Sequence, residues 1–245
     1  MIGLIPAAGK GSRLSLPFPK ELFPVIRNGD IQPVITNVVD DMIFTGIKHL
    51  VFVINESKHQ IIGYLGSGKK YKCNFSYVVQ ENISKEISSS PGLADALISA
   101  YHLIREKTVL FGMADTIMSP RNVFDLGLLS MNDSTDLMLC LFPTITPENF
   151  GMVSFDVNGN VNKVFDKPKN TNLEYMWGCM IWRPRFSDYL WEKVYNERIG
   201  DFSKIINFAI QDKICIKSTI IKDGKFQDLG TQEQITKFFK DGFGN

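Results

Sequence analysis

Short runs of apolar residues alternate with longer segments of helical periodicity along the first half of the chain. The apolar runs predict buried strands, and the segments between them predict amphipathic helices. We expect strands at Ile2–Ile5, Leu50–Ile54, Phe75–Val79, Val109–Met113 and Leu137–Phe142, and helices at Val34–Thr45, His59–Leu65, Leu93–Arg105 and Arg121–Ser130. This alternation is typical of right-handed βαβ units, so the sequence predicts an α/β fold with a mostly parallel sheet flanked by helices.

The second half of the chain is richer in short strands and turns. The pattern predicts hairpins from 152–156 with 161–165 and from 214–221 with 226–229, a strand at 175–182, and helices at 186–196 and 202–211. Thr231 is expected to cap a last helix together with Gln234, as in a capping box. No repeat, low-complexity linker or second core divides the chain, so the later half is expected to form a smaller β-rich lobe on one α/β body.

Composition and charge exclude several classes of protein. The 245 residues are 44% hydrophobic and carry a formal net charge of +1, so no global field would hold a nucleic acid or an anionic membrane. The four cysteines are scattered without a CxxC pair, which argues against a disulfide framework or a structural zinc site. The sequence contains no leader-like segment and no apolar run of membrane-spanning length. We therefore expect a cytoplasmic protein with no nucleic-acid or membrane partner.

A glycine-rich loop follows the first predicted strand, where parallel sheets form their ligand sites. It reads "PAAGKGSR" over residues 6–13, and Lys20 comes seven positions after Arg13. Gly9 and Gly11 would permit positive φ, and successive amides in such a loop can hold phosphate oxygens. Arg13 and Lys20 would add positive charge to the same site. On its composition alone, the loop is equally compatible with an ordinary turn that carries two solvent-facing cations.

Two other phosphate-binding motifs are incomplete in this sequence. The glycines at positions 9 and 11 lack the third glycine of the dinucleotide fingerprint, which argues against a dinucleotide-dependent oxidoreductase. The stretch "GYLGSGKK" over residues 63–70 has the spacing of a P-loop, but Lys70 replaces the serine or threonine that would hold magnesium. A helical segment also precedes it, where a P-loop requires a strand. Neither motif predicts the site.

Several motifs together resemble those of nucleotidyltransferases that join a nucleoside triphosphate to a phosphorylated substrate. The glycine-rich loop with the later "PKELFP" resembles the family signature GGxGTRL…PK. Further motifs occur in family order: "YVVQ" (77–80), "GLADAL" (92–97), "FGMADTIM" (111–118), "NFGMVSFD" (149–156), "VFDKP" (164–168) and "DLGT" (228–231). The last three resemble motifs of the sugar-1-phosphate branch. Independent motifs in one order across residues 2–235 make chance a poor explanation.

The resemblance implies a fold and a division of the chain into functional parts. The fold would be Rossmann-like, with a β-rich sugar-binding lobe, as in nucleotide-diphospho-sugar transferases. Within a single domain over residues 1–245, residues 1–142 would bind the nucleotide, 143–230 would bind the sugar phosphate, and 231–245 would form a C-terminal helix. The residues implied to contact the nucleotide are Ala7, Ala8, Gly9, Lys10, Gly11, Ser12, Gln80 and Gly92.

The resemblance also implies a metal site and an acceptor site. Asp115 and Asp228 would hold Mg²⁺, which commonly takes one or two carboxylates together with substrate phosphates. Taken alone, each aspartate could instead cap a turn, and Lys167 could be an ordinary exposed lysine. By resemblance, Lys167 binds the phosphate of the acceptor and Asp166 reaches its hydroxyl groups. Gly151, Trp177 and Gly178 would complete the contacts to the acceptor.

The implied reaction is attack by an oxygen of a sugar-1-phosphate on the α-phosphorus of a nucleoside triphosphate, with pyrophosphate as the leaving group. Lys20 would hold the α-phosphate, and Arg13 would stabilise charge on the pyrophosphate. A phosphate monoester, with a second pKa of about 6, is already anionic near neutral pH, so no general base is required. UTP or dTTP and glucose-1-phosphate are favoured, since Gln80 can pair with uracil or thymine and "PKELFP" resembles uridylyltransferases.

Four departures from the sugar-1-phosphate branch keep alternatives open. Arg13 and Lys20 are closer together than in that branch, which is more like cytidylyltransferases that act on polyol phosphates. Ala114 replaces the usual glycine, Asp166 replaces the usual glutamate, and the polar stretch 81–91 predicts a long lid. The alternative is a cytidylyltransferase that uses a choline, glycerol or polyol phosphate, and a third hypothesis is an inactive nucleotide-binding regulator. The sequence leaves the formation of a homo-oligomer open.

Overall fold

The computed structural model describes residues 1–11, 14, 16–27, 29–80 and 92–241. The strands are β1 (Ile2–Pro6), β2 (Pro24–Arg27), β3 (Asp30–Pro33), β4 (His49–Ile54), β5 (Asn74–Val79), β6 (Val109–Gly112), β7 (Thr116–Ser119), β8 (Leu137–Pro143), β9 (Gly151–Phe155), β10 (Val161–Asp166), β11 (Tyr175–Trp182), β12 (Ile216–Ile220) and β13 (Lys225–Asp228). The α-helices are α1 (Ile35–Phe44), α2 (His59–Leu65), α3 (Leu93–Ser99), α4 (Tyr101–Ile104), α5 (Val123–Ser130), α6 (Pro184–Trp191), α7 (Phe202–Gln211) and α8 (Gln232–Asp241).

Nine strands form one central sheet. β5, β4, β1 and β6 lie side by side in this order and pair in parallel, as expected for βαβ units. The antiparallel strand β11 follows β6 and pairs in turn with β8 and β9. β10 then pairs with β9, and β12 pairs with β8. The predicted α/β fold with helices flanking the sheet is confirmed.

The central strands are buried on both faces, which explains why they appear in the sequence as uninterrupted apolar runs. All of β1 and all but the first residue of β4 are buried. Alternate residues of β4 belong to different apolar clusters, with Val51 and Val53 in one and Leu50 and Phe52 in the other. Because side chains alternate across a strand, the sheet separates two apolar layers covered by the helices.

The strands of the second half extend the same sheet. The predicted hairpin of β9 and β10 is confirmed, and β10 lies at the end of the strand order. Asn207 of α7 covers this edge: its Oδ1 accepts from Val164 N and its Nδ2 donates to Val164 O, both at 2.8 Å. These bonds fix α7 against β10 and satisfy part of an exposed strand edge. The division of the chain at residues 142 and 230 stays a prediction.

The predicted hairpin of residues 214–229 is wrong. β12 pairs in parallel with β8, whereas β13 pairs with β7 in a separate two-stranded sheet. The turn at Asp223-Gly224 therefore carries the chain from one sheet to another. β7 and the β2–β3 hairpin were not predicted, because each is a short segment without a clear apolar alternation. A third, small apolar cluster joins these elements to α8: Val25, Val34, Ile117, Leu229 and Phe238.

The predicted helices occur with changed boundaries. The segment expected as one helix from residue 93 to 105 is interrupted at Ala100, between α3 and α4. The segment expected at 186–196 begins two residues earlier and continues from α6 into a π-helical turn, Glu192–Asn196. The cap at Thr231 is confirmed, since Gln234 N donates to Thr231 Oγ1 at 3.3 Å. Within the described ranges, the helices are too short or too polar to cross a membrane.

Candidate active site

A cleft of about 460 Å³ lies where the carboxyl end of β6 approaches β9, β11 and β13. Residues predicted from the sequence form much of its lining: Lys20, Asp115, Gly151, Asp166, Lys167, Trp177, Gly178 and Asp228. They come from widely separated parts of the chain, and neither a turn nor a single helix could have placed them together. Their convergence identifies this cleft as the candidate active site.

Asp115 and Asp228 meet because β13 pairs with β7. Asp228 lies opposite Thr116, the residue after Asp115, and Leu229 N donates to Asp115 O at 3.0 Å. A Cβ atom built on Gly230 would lie 2.9 Å from Asp228 Oδ1 and 3.4 Å from Asp115 Oδ2. The two carboxylates therefore border one small gap, which the missing side chain of Gly230 leaves open.

Lys20 is the cation beside this carboxylate pair. Its Nζ forms an ion pair with Asp115 Oδ2. Burial alone would lower the pKa of Lys20, but neighbouring carboxylates, that of Asp115 foremost, outweigh burial and raise this pKa. Burial and the charge of Asp115 raise the pKa of Asp228, although Gly230 N donates to Asp228 Oδ1 at 2.7 Å. When both carboxylates are ionised, the single positive charge of Lys20 therefore does not fully compensate their two negative charges.

A divalent cation fits this donor set. Mg²⁺ prefers hard oxygen ligands and is often held by one or two carboxylates, with substrate phosphates supplying others. Among the described residues, no cluster of three or more acidic, histidine or cysteine side chains offers an all-protein cage. The gap beside Gly230 and the raised pKa of Asp228 indicate that added positive charge would stabilise the pair. Asp115 and Asp228 thus have the chemistry required of magnesium ligands.

The β9–β10 hairpin places the predicted acceptor residues together. Asp166 lies opposite Gly151 in the ladder, and Lys167 N donates to Phe150 O at 3.0 Å. Lys167 has a φ of 46°, in the left-handed region that residues other than glycine rarely adopt. Strained conformations of this kind persist where the surrounding structure imposes them, often at ligand sites. The side chains of Asp166 and Lys167 are exposed at the cleft and can contact a ligand.

Trp177 packs its indole ring directly on Gly151. A Cβ atom at position 151 would lie 2.2 Å from Trp177 Nε1, so only glycine accommodates the ring in this position. Trp177 Nε1 is buried and has no hydrogen-bond partner in the part of the chain that the structure describes, which is uncommon for a buried donor. Phe111 and Phe202 contact the same ring, at centroid distances of 6.2 and 6.3 Å. The ring therefore shapes the wall of the cleft.

Gly178 is explained by packing. A Cβ atom there would lie 2.6 Å from the ring of Phe142 and 2.7 Å from that of Phe226. Both rings pack against each other at a centroid distance of 5.5 Å. The missing side chain of Gly178 therefore lets β11 approach these aromatic residues, while its backbone lines the cleft.

The glycine-rich loop begins at the carboxyl end of β1. Ala7 and Ala8 are buried, and Gly9 and Lys10 are exposed. Gly11 has the expected positive φ, 65°, whereas the expectation for Gly9 is wrong, because Gly9 is not in the left-handed region. No atom of the described residues lies within 4 Å of a Cβ built on Gly9, apart from its chain neighbours, so these residues leave its backbone accessible.

A second cavity, of about 230 Å³, lies beside this loop. Its lining includes Lys10, Gly11, Lys20 and Lys58, so Lys20 borders both cavities. This position suits a residue that contacts two parts of an extended anion. Two residues predicted to take part, Ser12 and Arg13, lie outside the described residues.

Gln80 and Gly92 bond to each other. Gln80 Nε2 donates to Gly92 O at 3.0 Å, and Gly92 N donates to Asp95 Oδ2 at 2.9 Å at the start of α3. Leu93, the next residue, lines the 460 Å³ cleft. A base bound at Gln80 would therefore have to share or replace the Gly92 carbonyl as its partner. The predicted lid, residues 81–91, lies outside the described residues.

Two segments that border the cavities contain none of the site residues predicted from the sequence. Asp201, Phe202 and Ser203 line the cleft at the first turn of α7, where Asp201 Oδ1 accepts from Lys204 N at 3.0 Å. Ser57 and Lys58 line the smaller cavity in the turn after β4. The carboxyl end of a parallel strand is itself a signal for a ligand site, and it could have identified the second segment. The first segment carries no such signal.

Comparison with known proteins assigns almost the whole chain to one family. A model of the family described as nucleotidyl transferase matches residues 2–242. The low-salt glycan biosynthesis nucleotidyltransferase Agl11 of Haloferax volcanii is 26% identical over 243 residues, which cover 96% of this chain and 64% of that protein. A glucose-1-phosphate thymidylyltransferase of Xanthomonas campestris is 26% identical over 195 residues, which cover 76% and 61%. The chain thus spans less than two thirds of the length of these relatives.

Solved structures show the same fold. A Bacillus anthracis protein assigned as a glucose-1-phosphate thymidylyltransferase and solved with sucrose has a TM-score of 0.83 at 21% identity, covering 100% of this chain and 96% of that chain. A UDP-glucose pyrophosphorylase of Acinetobacter baumannii has a TM-score of 0.75 at 19% identity, covering 97% and 92%. The arrangement of helices and strands is therefore shared along nearly the whole of these chains.

Proposed function

The chain belongs to the nucleotidyl transferase family, and from this premise we propose that it couples a nucleoside triphosphate to a sugar-1-phosphate, giving a nucleoside diphosphate sugar and pyrophosphate. The observation that carries the proposal is the convergence in one cleft of the Asp115–Asp228–Lys20 group and the Gly151–Lys167 hairpin segment. The first group has the chemistry to hold a polyphosphate with a cation, and the second has the chemistry to hold a phosphorylated acceptor.

Asp115 and Asp228 would hold Mg²⁺, which when bound neutralises charge on the phosphates. Lys20 touches Asp115 and borders both cavities, which supports the proposal that its ammonium group contacts the reacting α-phosphate. The amides of Gly9 to Gly11, together with Arg13, are proposed to bind the departing pyrophosphate. Two anions can approach each other only if such positive groups offset their repulsion.

Lys167 is proposed to hold the phosphate of the acceptor. Its left-handed backbone and its bond to Phe150 O fix the position from which the side chain extends. Asp166 would accept hydrogen bonds from hydroxyl groups of the acceptor, and the Trp177–Gly151 wall would limit its size. Holding both substrates in line converts the encounter of two anions into a reaction between positioned groups.

The bond changes are simple and need no proton transfer. An oxygen of the sugar-1-phosphate forms a bond to the α-phosphorus, and the bond from that phosphorus to the bridging oxygen of pyrophosphate breaks. Because a phosphate monoester has a second pKa of about 6, the nucleophile is already charged near neutral pH. The chain's contribution is therefore charge compensation and alignment.

UTP or dTTP and glucose-1-phosphate are the proposed substrates. Gln80 can present both a donor and an acceptor, as uracil and thymine require. The named relatives and solved structures include a glucose-1-phosphate thymidylyltransferase and a UDP-glucose pyrophosphorylase, which supports this choice. The cytidylyltransferase alternative finds no support among these relatives.

The test is a grid of pyrophosphate-release assays with Mg²⁺. Five nucleoside triphosphates (UTP, dTTP, CTP, GTP and ATP) are each combined with a panel of hexose-1-phosphates and, as a contrast, choline, glycerol and polyol phosphates. We expect strong release with UTP or dTTP and glucose-1-phosphate. Omission of the acceptor or of Mg²⁺ should abolish the signal.

Turnover only with CTP and a non-sugar phosphate would contradict the proposal. Triphosphate binding without turnover in any combination would favour an inactive regulator instead. A Lys20→Met variant provides the matched control, because it removes a charge from the proposed catalytic group and should lose release with every substrate pair.

A further inference from the structure

One short turn contacts both the start of the glycine-rich loop and the later segment that carries Lys20. The turn consists of Asn55 and the 3₁₀ segment Glu56–Lys58, and it follows β4 at the carboxyl edge of the sheet. Asn55 bonds to Ala8 at the start of the loop, and Lys58 bonds to Glu21 in the 3₁₀ segment Lys20–Leu22. We call Asn55–Lys58 the clamp turn.

The first contact fixes the start of the loop. Asn55 Nδ2 donates to Ala8 O at 2.5 Å, while Asn55 Oδ1 accepts from Ser57 N at 2.9 Å. The same side chain thus stabilises the clamp turn itself and binds the backbone one residue before Gly9. Ala7 N also donates to Val53 O at 2.7 Å, which continues the β1–β4 ladder up to this point.

The second contact fixes the 3₁₀ segment Lys20–Leu22, which follows the loop. Lys58 Nζ donates to Glu21 Oε2 at 2.5 Å, and both residues are almost fully buried, with exposures of 3% and 1%. Glu21 is the middle residue of the 3₁₀ segment Lys20–Leu22, and the residue before it points its ammonium group at Asp115. A buried ion pair is costly unless its geometry is well satisfied, and removing one partner leaves an uncompensated charge. The Glu21–Lys58 pair therefore fixes the segment that carries Lys20 with little freedom to shift.

We infer that Lys58 and Asn55 are positioning residues of the triphosphate site: through Ala8 and Glu21 they hold the start of the glycine-rich loop and the segment that carries Lys20 in the geometry that binds the nucleoside triphosphate. Neither residue needs to touch the reacting atoms. The inference rests on the proposed function, because it assumes that this loop receives a triphosphate. It predicts a division of effects, since the clamp turn contacts the loop and the acceptor residues come from other strands.

The experiment compares Lys58→Met, Glu21→Gln and the double variant Glu21→Gln/Lys58→Met with the unaltered chain. Binding of UTP and dTTP in the presence of Mg²⁺ and without acceptor is measured by titration calorimetry, and turnover is measured in the substrate pair that the grid identifies. Asn55→Asp is the second test, because it keeps an oxygen for Ser57 N and loses the donor to Ala8 O. Lys107→Met, a change at an exposed lysine, is the matched control.

We expect Lys58→Met and Asn55→Asp to weaken triphosphate binding roughly 10- to 100-fold, the size of effect expected when a binding group is displaced by about 1 Å. The KM for the acceptor should change much less. The double variant, which buries no unpaired charge, should recover the midpoint of thermal unfolding but keep the weak triphosphate binding. Lys107→Met should match the unaltered chain in every measurement.

A double variant with normal triphosphate affinity would overturn the inference, because the ion pair would then only stabilise the fold. An equal rise in the KM of both substrates would overturn it as well. If the unaltered chain binds a triphosphate but turns over no acceptor, the proposed function fails while the binding data still decide the inference. If it binds no triphosphate, both fail.

Discussion

Asp228 lies opposite Thr116 in the antiparallel ladder of β7 and β13, and this single register pair brings the two candidate metal ligands together. A shift by one residue would turn the Asp228 side chain to the other face of the two-stranded sheet. The hydrogen bond from Leu229 N to Asp115 O continues the same register beyond the strand. The candidate metal site therefore depends on a pairing between segments that share no local sequence signal.

Asp228→Asn tests the candidate metal site. Asparagine still offers an oxygen to Gly230 N but removes one of two adjacent carboxylate charges. Turnover with Mg²⁺ should fall by at least about 100-fold, since a bound cation supplies several kcal/mol of charge stabilisation. Without metal, the variant should unfold at the same temperature as the unaltered chain or higher, and Mg²⁺ should stabilise only the unaltered chain. Thermal unfolding with and without Mg²⁺ measures this, and near-normal activity would remove Asp228 from the site.

Gly151→Ala tests the wall of the acceptor site. The new methyl group would lie 2.2 Å from Trp177 Nε1 and would force the ring to move. We expect a loss of about 1–3 kcal/mol in the free energy of unfolding and a higher KM for the acceptor, with the KM for the triphosphate little changed. Adding Trp177→Leu should restore stability by making room. A Gly151→Ala variant with normal stability and kinetics would show that the contact yields easily.

Lys167 allows its side chain and its backbone to be tested separately. Lys167→Ala and Lys167→Gly both remove the ammonium group, so both should weaken acceptor binding without weakening triphosphate binding. Only glycine relieves the left-handed strain at φ 46°, so Lys167→Gly should be more stable than Lys167→Ala by about 1 kcal/mol. Denaturant unfolding and steady-state kinetics of both variants give the answer. Weaker triphosphate binding alone would mean that Lys167 serves the other substrate.

Asp41 predicts a pH dependence of stability unrelated to catalysis. It is fully buried, Arg27 Nη2 donates to its Oδ1 at 2.7 Å, and its Oδ2 has no hydrogen-bond partner among the described residues. Burial outweighs Arg27 and raises the pKa of Asp41 from 3.8 to about 6. Between these values the native state binds more protons than the unfolded state, so the free energy of unfolding falls as pH rises, by up to about 3 kcal/mol.

Asp41→Asn removes this titrating group and should flatten that part of the pH profile. Urea denaturation of both chains from about pH 4 to pH 7 would measure the difference. Parallel profiles for the two chains would show that Asp41 keeps an ordinary pKa in the folded state.

The sequence predicted the central strands well because their apolar runs result directly from burial on both faces of a parallel sheet. It failed at β12 and β13, where two short strands beside an Asp-Gly turn have the appearance of a hairpin but pair with β8 and β7. It also missed the hairpin of β2 and β3, although Asn28-Gly29 in the sequence is a recognised hairpin signal. Local patterns indicate that a strand exists, but its partner is chosen by distant residues.

Much of the candidate site was predicted through motifs, and the structure brings eight of those residues into one cleft. The need for glycine at position 178 could not be predicted, because it arises from the close approach of Phe142 and Phe226, which lie on other strands. The Glu21–Lys58 pair could not be predicted either, since a buried lysine looks like any other lysine in a sequence. Such contacts appear only once the elements are packed.

The small cluster that joins β2, β7 and α8, and that includes Val34 and Leu229 directly after β3 and β13, is separate from the two large cores. Its few apolar contacts give it less resistance to local opening than the nine-stranded sheet has. A fluctuation that releases β13 would withdraw Asp228 while the remaining sheet stays folded, so we expect a minor native form that lacks the complete candidate site. Leu229 N donates to Asp115 O, and pairs alternate along an antiparallel ladder, so the amides of Leu229 and Gln227 are the ones that bond to β7 and its flank. These amide hydrogens should exchange faster than those of Val51 and Leu110, and Mg²⁺ with a triphosphate should slow them; equal exchange rates would exclude such a form. Substrate binding would then select the complete enzyme from an equilibrium that exists before any encounter.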